Sequence, residues 1–175
     1  MKSVWVLLLG TVLAGCAANN QYVVDGPNAP PAKPAYRSYQ VVADDDFLTA
    51  AGSNTVLFDT NSSHLNVVAR ETLDRQASWL ITHRGVPILI EGHCDERASK
   101  GYNLELGRRR ARAVVEYFVS KGIAPERFTA RSFGEGKPII DRAGDIQINR
   151  RAVTVVLDPE TAGEVRSGAS GSASN

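Results

Sequence analysis

The sequence predicts one α/β (α+β) domain, a β-α-β-α-β-β sandwich in which helices pack on one face of a mixed sheet. Three observations support this class. Short apolar segments alternate with longer segments whose apolar residues recur at helical spacing. Residues 44–158, which contain these segments, lie between a proline-rich stretch, residues 16–43, and a Gly/Ser/Ala-rich tail, residues 159–175. A folded part of about 105 residues is long enough for one hydrophobic core but not for two.

The first half of the domain is predicted to contain a short helix, a strand and a long helix. Three aspartates, residues 44–46, can cap a short helix that ends at Gly52. Residues 55–58 form a short apolar strand, and Ser62 or Ser63 can cap the helix that follows. The apolar residues of this helix recur at helical spacing: Leu65, Ala69, Leu73, Ala77 and Leu80.

The second half is predicted to contain a strand, a second long helix and two more strands. Residues 86–90 form the first of these strands, with Pro87 at its start, where a missing N–H is tolerated. Residues 102–120 form the helix, which Gly122 closes. The last two strands are residues 128–133 and 151–157.

The first 15 residues predict a signal peptide. Lys2 precedes an apolar run that is well short of the roughly 20 residues that span a membrane. The run ends in Leu13-Ala14-Gly15-Cys16, which resembles a bacterial lipobox and implies that Cys16 is lipidated. Ala17 follows instead of Asp, and by resemblance to sorted lipoproteins this favours a lipid anchor on the periplasmic face of the outer membrane. The proline-rich stretch after Cys16 is expected to be a partly extended, disordered tether that reaches on the order of 80 Å.

One acid and one base are predicted to meet at the start of the second long helix. Asp95 comes just after an apolar strand, while Asn103, Leu106 and Arg110 share one helix face because they are three and four residues apart. Asp95 and Arg110 are expected at a loop and a helix edge, outside the apolar core. This arrangement suits a ligand that carries both an ammonium and a carboxylate.

Residues 90–114 closely resemble the signature of the OmpA-like peptidoglycan-binding domain, and the resemblance covers roughly residues 54–157. In that family an Asp and an Arg at this spacing bind diaminopimelate of the cell-wall peptide. The resemblance therefore implies that Asp95 accepts from the ligand ammonium and that Arg110 binds the carboxylate. It also implies pocket roles for four more residues: Phe58, Asp59, Asn103 and Leu106.

Two departures and one alternative accompany this resemblance. Gly107 stands where Ser is common, and Thr60-Asn61 stands where Phe-Asp is usual after the first acid. Without a ligand role, Asp95 and Arg110 would be a structural salt bridge between a loop and a helix.

The lipobox, short tether and single domain resemble the lipoprotein branch of this family. That branch implies peptidoglycan, the outer membrane and the propeller protein TolB with other Tol proteins as partners, and a role in holding the outer membrane to the wall, especially during division. Two alternatives stay open, because a partner surface leaves no short motif. One is a general wall-binding lipoprotein without a Tol partner, and the other is an accessory subunit of an enzyme.

Charge and spacing argue against other classes. A net charge of +1 gives no electrostatic footprint for nucleic acid. Asp95 and Glu96 are adjacent, which is a poor arrangement for a glycosidase pair. Cys94 could be a nucleophile or metal ligand, but a small buried side chain at a strand end is the favoured interpretation. The sequence therefore predicts a binding module that is not an enzyme and has no metal or cofactor.

Overall fold

The computed structural model describes residues 23–24 and 44–157. Their helices and strands, in chain order, are β1 (Val23–Val24), α1 (Asp44–Ala51), β2 (Thr55–Leu57), α2 (Val67–Thr82), β3 (Ile88–His93), α3 (Lys100–Ser120), β4 (Phe128–Gly134) and β5 (Arg151–Val156). The predicted signal peptide, Cys16, most of the predicted tether and the tail lie outside these residues. None of the helices described is both long and apolar enough to cross a membrane.

The strands form one mixed sheet in the order β1-β4-β3-β5-β2. β4 runs parallel to β3, whereas β5 runs antiparallel to both β3 and β2. The predicted mixed sheet is therefore confirmed. β1 is an addition, because Val23 and Val24 fall in the predicted tether but pair in parallel with Thr129 and Ala130 at the sheet edge.

The hydrophobic core lies between the helices and one face of the sheet, as predicted. Side chains alternate along a strand, so Ile88 and Ile90 of β3 point into the same core. Phe128 of β4 stacks on Phe118 of α3 with ring centroids 5.6 Å apart. The packing of α3 on β3 and β4 therefore fixes the helix that carries half of the predicted site residues, Asn103, Leu106 and Arg110.

Several predicted boundaries were wrong by a few residues. Neither Ser62 nor Ser63 caps α2; Asn66 does, and its side-chain oxygen accepts from the N–H of Ala69 at 2.9 Å. Ser62 instead accepts from the N–H of His64 in a local turn, an alternative that serine and asparagine both favour. Leu65, predicted inside the helix, is buried just before it.

Two further shifts bring a strand and a helix closer to the site. β3 spans Ile88–His93 rather than residues 86–90, and α3 begins at Lys100 rather than at residue 102. The ends of β2, β4 and β5 each differ from the prediction by one residue. Ser99 caps α3 by accepting from the N–H of Tyr102 at 3.3 Å. The loop that carries Asp95 is therefore only six residues long, residues 94–99.

Two glycines let α3 approach β3 closely at the level of the site. A Cβ placed on Gly92 would lie 1.9 Å from the carbonyl oxygen of Gly107, so only glycine fits. The register of β3 against β4 shifts between Gly92 and His93, and the N–H of Cys94 then donates to the carbonyl of Gly134 at 2.7 Å. This irregularity turns the chain out of the sheet directly before Asp95.

Candidate functional site

A cleft of about 290 Å³ lies where two loops meet the start of α3. Its lining comes from the β2–α2 loop, the β3–α3 loop and the first turns of α3: Thr60, Asn61, Asp95, Arg97, Ala98, Tyr102, Asn103 and Leu106. Three of the residues predicted from the sequence, Asp95, Asn103 and Leu106, are thus brought together at its surface.

Two arginines, Arg97 and Arg150, bind the Asp95 carboxylate, whereas the salt-bridge alternative expected Arg110. Asp95 Oδ2 accepts from Arg97 Nε at 3.1 Å and from Arg150 Nη1 at 2.9 Å. The Asp95 side chain is only 9% exposed, so these charge-assisted bonds fix its orientation. Within the described part of the chain no hydrogen bond to Oδ1 is formed, and Asp95 lines the cleft.

Arg97 lies at the cleft surface and Arg150 behind it. Arg97 also donates from Nη2 to Thr60 Oγ1 at 2.9 Å, and its side chain is 35% exposed. Arg150 is buried, and its Nε donates to the carbonyl of Phe58 at 3.2 Å. Burial lowers the pKa of the Arg150 guanidinium, but hydrogen bonds to Asp95 and Asp145 outweigh this and raise its pKa above the usual value.

Arg110 lies beneath the cleft, and its predicted place at a helix edge is wrong. It is 0% exposed and does not line the cleft. Its Nε donates to the carbonyl of Ser62 at 2.9 Å, Nη1 to that of His93 at 2.7 Å and Nη2 to that of Asp59 at 3.1 Å. Burial is the main cause that lowers the pKa of Arg110. The guanidinium thus ties the β2–α2 loop and the end of β3 to α3, and no bidentate fork faces the cleft.

Phe58 and Asp59, the aromatic-acid pair of the prediction, support Arg110 and do not line the cleft. The Phe58 ring is 1% exposed and lies under the Arg110 guanidinium at 5.3 Å. Asp59 contributes its carbonyl oxygen to Arg110, while the residue itself is exposed. Thr60 and Asn61 take the lining positions instead, so the departure from the family pattern lies at the cleft surface.

The start of α3 supplies a polar and an apolar side of the cleft. The Asn103 amide donates to the carbonyl of Ala98 at 3.3 Å and to Glu135 Oε2 at 2.5 Å, so its donors hold the loops around the cleft. The Tyr102 hydroxyl donates to the Asn61 side chain, whose backbone has a φ of 53°, a left-handed conformation that asparagine tolerates. Leu106 is buried and gives the cleft an apolar surface.

Sequence reasoning assigned no role to several residues of this site. Arg97 and Tyr102 could have been suspected, because they follow Asp95 within one loop and one helical turn. Asp145 gave no local signal, and Arg150 stood out only as part of a stretch that resembles the family, since it is 55 positions from the carboxylate it holds.

Cys94 is a buried, protonated thiol, which confirms the favoured interpretation of this residue. It is 2% exposed, and burial is the main cause that raises its pKa to about 11. Its Sγ donates to the carbonyl of Asn103 at 3.2 Å and accepts from Arg110 Nη1 at 3.3 Å. Among residues 23–24 and 44–157, no three His, Cys, Asp or Glu residues are grouped so that they could hold a metal ion.

Known proteins resemble both the sequence and the fold. The model of the OmpA family matches residues 57–152. Peptidoglycan-associated lipoproteins of Rhizobium meliloti and Brucella melitensis are 39% and 35% identical, over 86% of this chain and over 84% and 88% of their own. The crystal structure of the peptidoglycan-associated lipoprotein from Burkholderia pseudomallei matches with a TM-score of 0.58 and 33% identity, over 60% of this chain and 91% of that one. The chain belongs to the OmpA family and, within it, to the peptidoglycan-associated lipoproteins.

Proposed function

We propose that this protein is an outer-membrane lipoprotein that binds diaminopimelate of the peptidoglycan stem peptide and tethers the outer membrane to the wall within the Tol system. The observation that carries the proposal is the cleft. It presents a carboxylate, a guanidinium and an apolar side chain in a domain that matches peptidoglycan-associated lipoproteins. Its volume of about 290 Å³ suits the end of one side chain rather than a whole saccharide.

The free end of diaminopimelate carries an ammonium and a carboxylate on one carbon. In the proposed complex the ammonium donates to Asp95 Oδ1, and Arg97, at the cleft surface, binds the carboxylate through Nη1. The methylene groups lie against Leu106. Arg110 acts as a positioning residue, because three backbone carbonyls occupy its nitrogens and at most one N–H, on Nη2, is left for a ligand.

Binding rather than catalysis fits the chemistry of the site. Cys94 directly precedes Asp95, and the burial of its thiol and its pKa of about 11 keep it protonated. The proposal therefore assigns no bond-breaking step to this domain.

Matched tripeptides test the ligand. The lipidated protein in detergent should bind a peptide with diaminopimelate at the third position more tightly than the same peptide with lysine, which lacks the second carboxylate. A charge-assisted hydrogen bond to the partly exposed Arg97 contributes about 1.5 to 3 kcal/mol, which corresponds to roughly 10- to 150-fold. Calorimetric titration measures this ratio, and equal affinities would contradict the proposed readout of the carboxylate.

The lipid anchor is tested separately. Each buried methylene of an acyl chain contributes about 0.8 kcal/mol, so a triacylated Cys16 makes anchoring effectively permanent. Cys16→Ser should leave an uncut or soluble periplasmic protein. Recovery of this variant in salt-washed outer membranes would contradict a lipid anchor at Cys16.

The Tol partner requires a capture experiment. Affinity purification of the protein from detergent-solubilised membranes should recover a periplasmic propeller protein, TolB. If wall fragments are recovered without any propeller protein, the function reduces to that of a general wall-binding lipoprotein.

A further inference from the structure

The loop between β4 and β5 brings a second carboxylate to the two arginines that hold Asp95. Asp145 Oδ2 lies 3.2 Å from Arg97 Nη1, and Asp145 Oδ1 accepts from Arg150 Nη1. The side chain of Asp145 is 58% exposed, whereas that of Asp95 is 9% exposed. Asp145 therefore approaches the arginines from the solvent side.

Hydrogen bonds of Asn149 hold the base of this loop, and the Asp145 carboxylate stays exposed. The Asn149 side chain accepts from the N–H groups of Ile139 and Ile140 and donates to the carbonyl of Ile140 at 2.8 Å. Ile146, the next residue after Asp145, is buried and pins the loop beside the site. Hence the chain holds Asp145 in reach of Arg97 without burying it.

The charges of the two carboxylates and the two guanidinium groups balance at this contact. Asp95 supplies one negative charge to two guanidinium groups, and Asp145 supplies the second. Arg97 uses Nε and Nη2 for Asp95 and Thr60, so Nη1 is the edge on which Asp145 sits. That edge is also the one that a ligand carboxylate would use if Arg97 binds it.

We propose that Asp145 is an internal competitor for the ligand carboxylate and a determinant of affinity and specificity. In the free protein it pairs with Nη1 of Arg97, and it gives way when the carboxylate of the wall peptide binds. Ligands without that carboxylate cannot displace it. The inference rests on the proposed function and adds a cost to binding that keeps the attachment to the wall reversible.

The test compares Asp145→Asn with Asp141→Asn in the full lipidated protein in detergent. Asp141 is an exposed carboxylate on the same loop, so both changes alter the net charge equally. The probes are a diaminopimelate tripeptide and the same peptide with the side-chain carboxylate amidated. Asp145 makes two partly exposed ion pairs, with Arg97 and Arg150, so Asp145→Asn should tighten binding of the free-carboxylate peptide about two- to thirtyfold. Binding of the amidated peptide, and all binding by Asp141→Asn, should change less than twofold.

The outcomes separate this inference from the function on which it rests. If Asp145→Asn weakens binding or leaves it unchanged while Asp95→Ala abolishes it, the cleft binds the wall peptide and Asp145 is not a competitor. An equal gain for both peptides would also overturn the inference, because the effect would then be general electrostatics. If wild type, Asp145→Asn and Asp95→Ala all fail to bind either peptide, the proposed function itself is wrong.

Discussion

The floor and the rim of the cleft use arginine in two different ways. We define the floor as Arg110 with the Phe58 ring beneath it, and the rim as Arg97 with Thr60 and Asp145. Arg110 is 0% exposed and donates to backbone carbonyls, whereas the Arg97 side chain is 35% exposed and, among the described residues, pairs with the side chains of Thr60, Asp95 and Asp145. Backbone carbonyls cannot leave without distorting the fold, but side-chain partners can be exchanged for a ligand. This contrast indicates that the floor supports the cleft structurally, and under the proposed function the rim is the part that contacts the ligand.

Removing the floor arginine should have the largest effect. Arg110→Ala leaves the carbonyls of Asp59, Ser62 and His93 without their donor and opens a cavity, so the free energy of unfolding should fall by about 3 to 5 kcal/mol. Urea unfolding measures this. Arg109→Ala is the matched control, because its neighbouring side chain is 41% exposed and should change stability by less than about 0.5 kcal/mol. A stable Arg110→Ala variant that loses only ligand binding would reverse the roles of floor and rim.

The floor also depends on the close approach of α3 to β3. Gly92→Ala places a Cβ 1.9 Å from the backbone oxygen of Gly107, so the helix must move and stability should fall by about 3 kcal/mol. Gly101→Ala is the control, since nothing lies within 4 Å of its Cβ and the change should be neutral or slightly stabilising in the first turn of α3. Thermal melting of both variants checks the contrast. Equal melting temperatures would mean that the helix does not rest on Gly92.

Removing Arg97, the rim arginine, should weaken ligand binding while leaving the stability of the domain nearly unchanged. Arg97→Ala removes partly exposed ion pairs, so the free energy of unfolding should change by about 1 kcal/mol or less. Affinity for the diaminopimelate tripeptide should nevertheless fall roughly 10- to 150-fold, because the carboxylate loses its partner. Urea unfolding and calorimetry on one preparation give both quantities. Unchanged affinity would place the carboxylate elsewhere, with the remaining Nη2 N–H of Arg110 as the next candidate.

The smallest effect is expected for chemical labelling of Cys94, whose sulfur contacts Arg110 in the floor. Its pKa of about 11 leaves roughly one thiolate in a thousand at pH 8, and the residue is buried. A thiol reagent should therefore label the native protein very slowly and the denatured protein at once. Denatured protein should expose a single thiol, that of Cys94, because the proposed lipid occupies Cys16. Rapid labelling of native protein would show that the floor opens to solvent.

Much of the architecture followed from periodicity and turn residues. The apolar spacing of α2 and α3 and the alternation along β3 place the core on one face of the sheet. Gly52 and Gly122 have φ values of 73° and 86°, as expected for residues that end helices. The ends of these elements were less predictable, because Ser62 and Asn66 have equal capping ability and only the packing of the preceding loop selects between them.

The sequence by itself determined the fold class, the family and part of the cleft lining, because local periodicity and a contiguous motif carry that information. It placed Asp95, Asn103 and Leu106 at one site, and these three do line the cleft. Only the tertiary structure decided that Arg110 is buried under the cleft and that Arg97, Arg150 and Asp145 surround the carboxylate. Burial and long-range ion pairs arise from contacts between β3, α3 and the β4–β5 loop, which are distant in the chain. No local pattern of residues encodes which side of a guanidinium faces solvent.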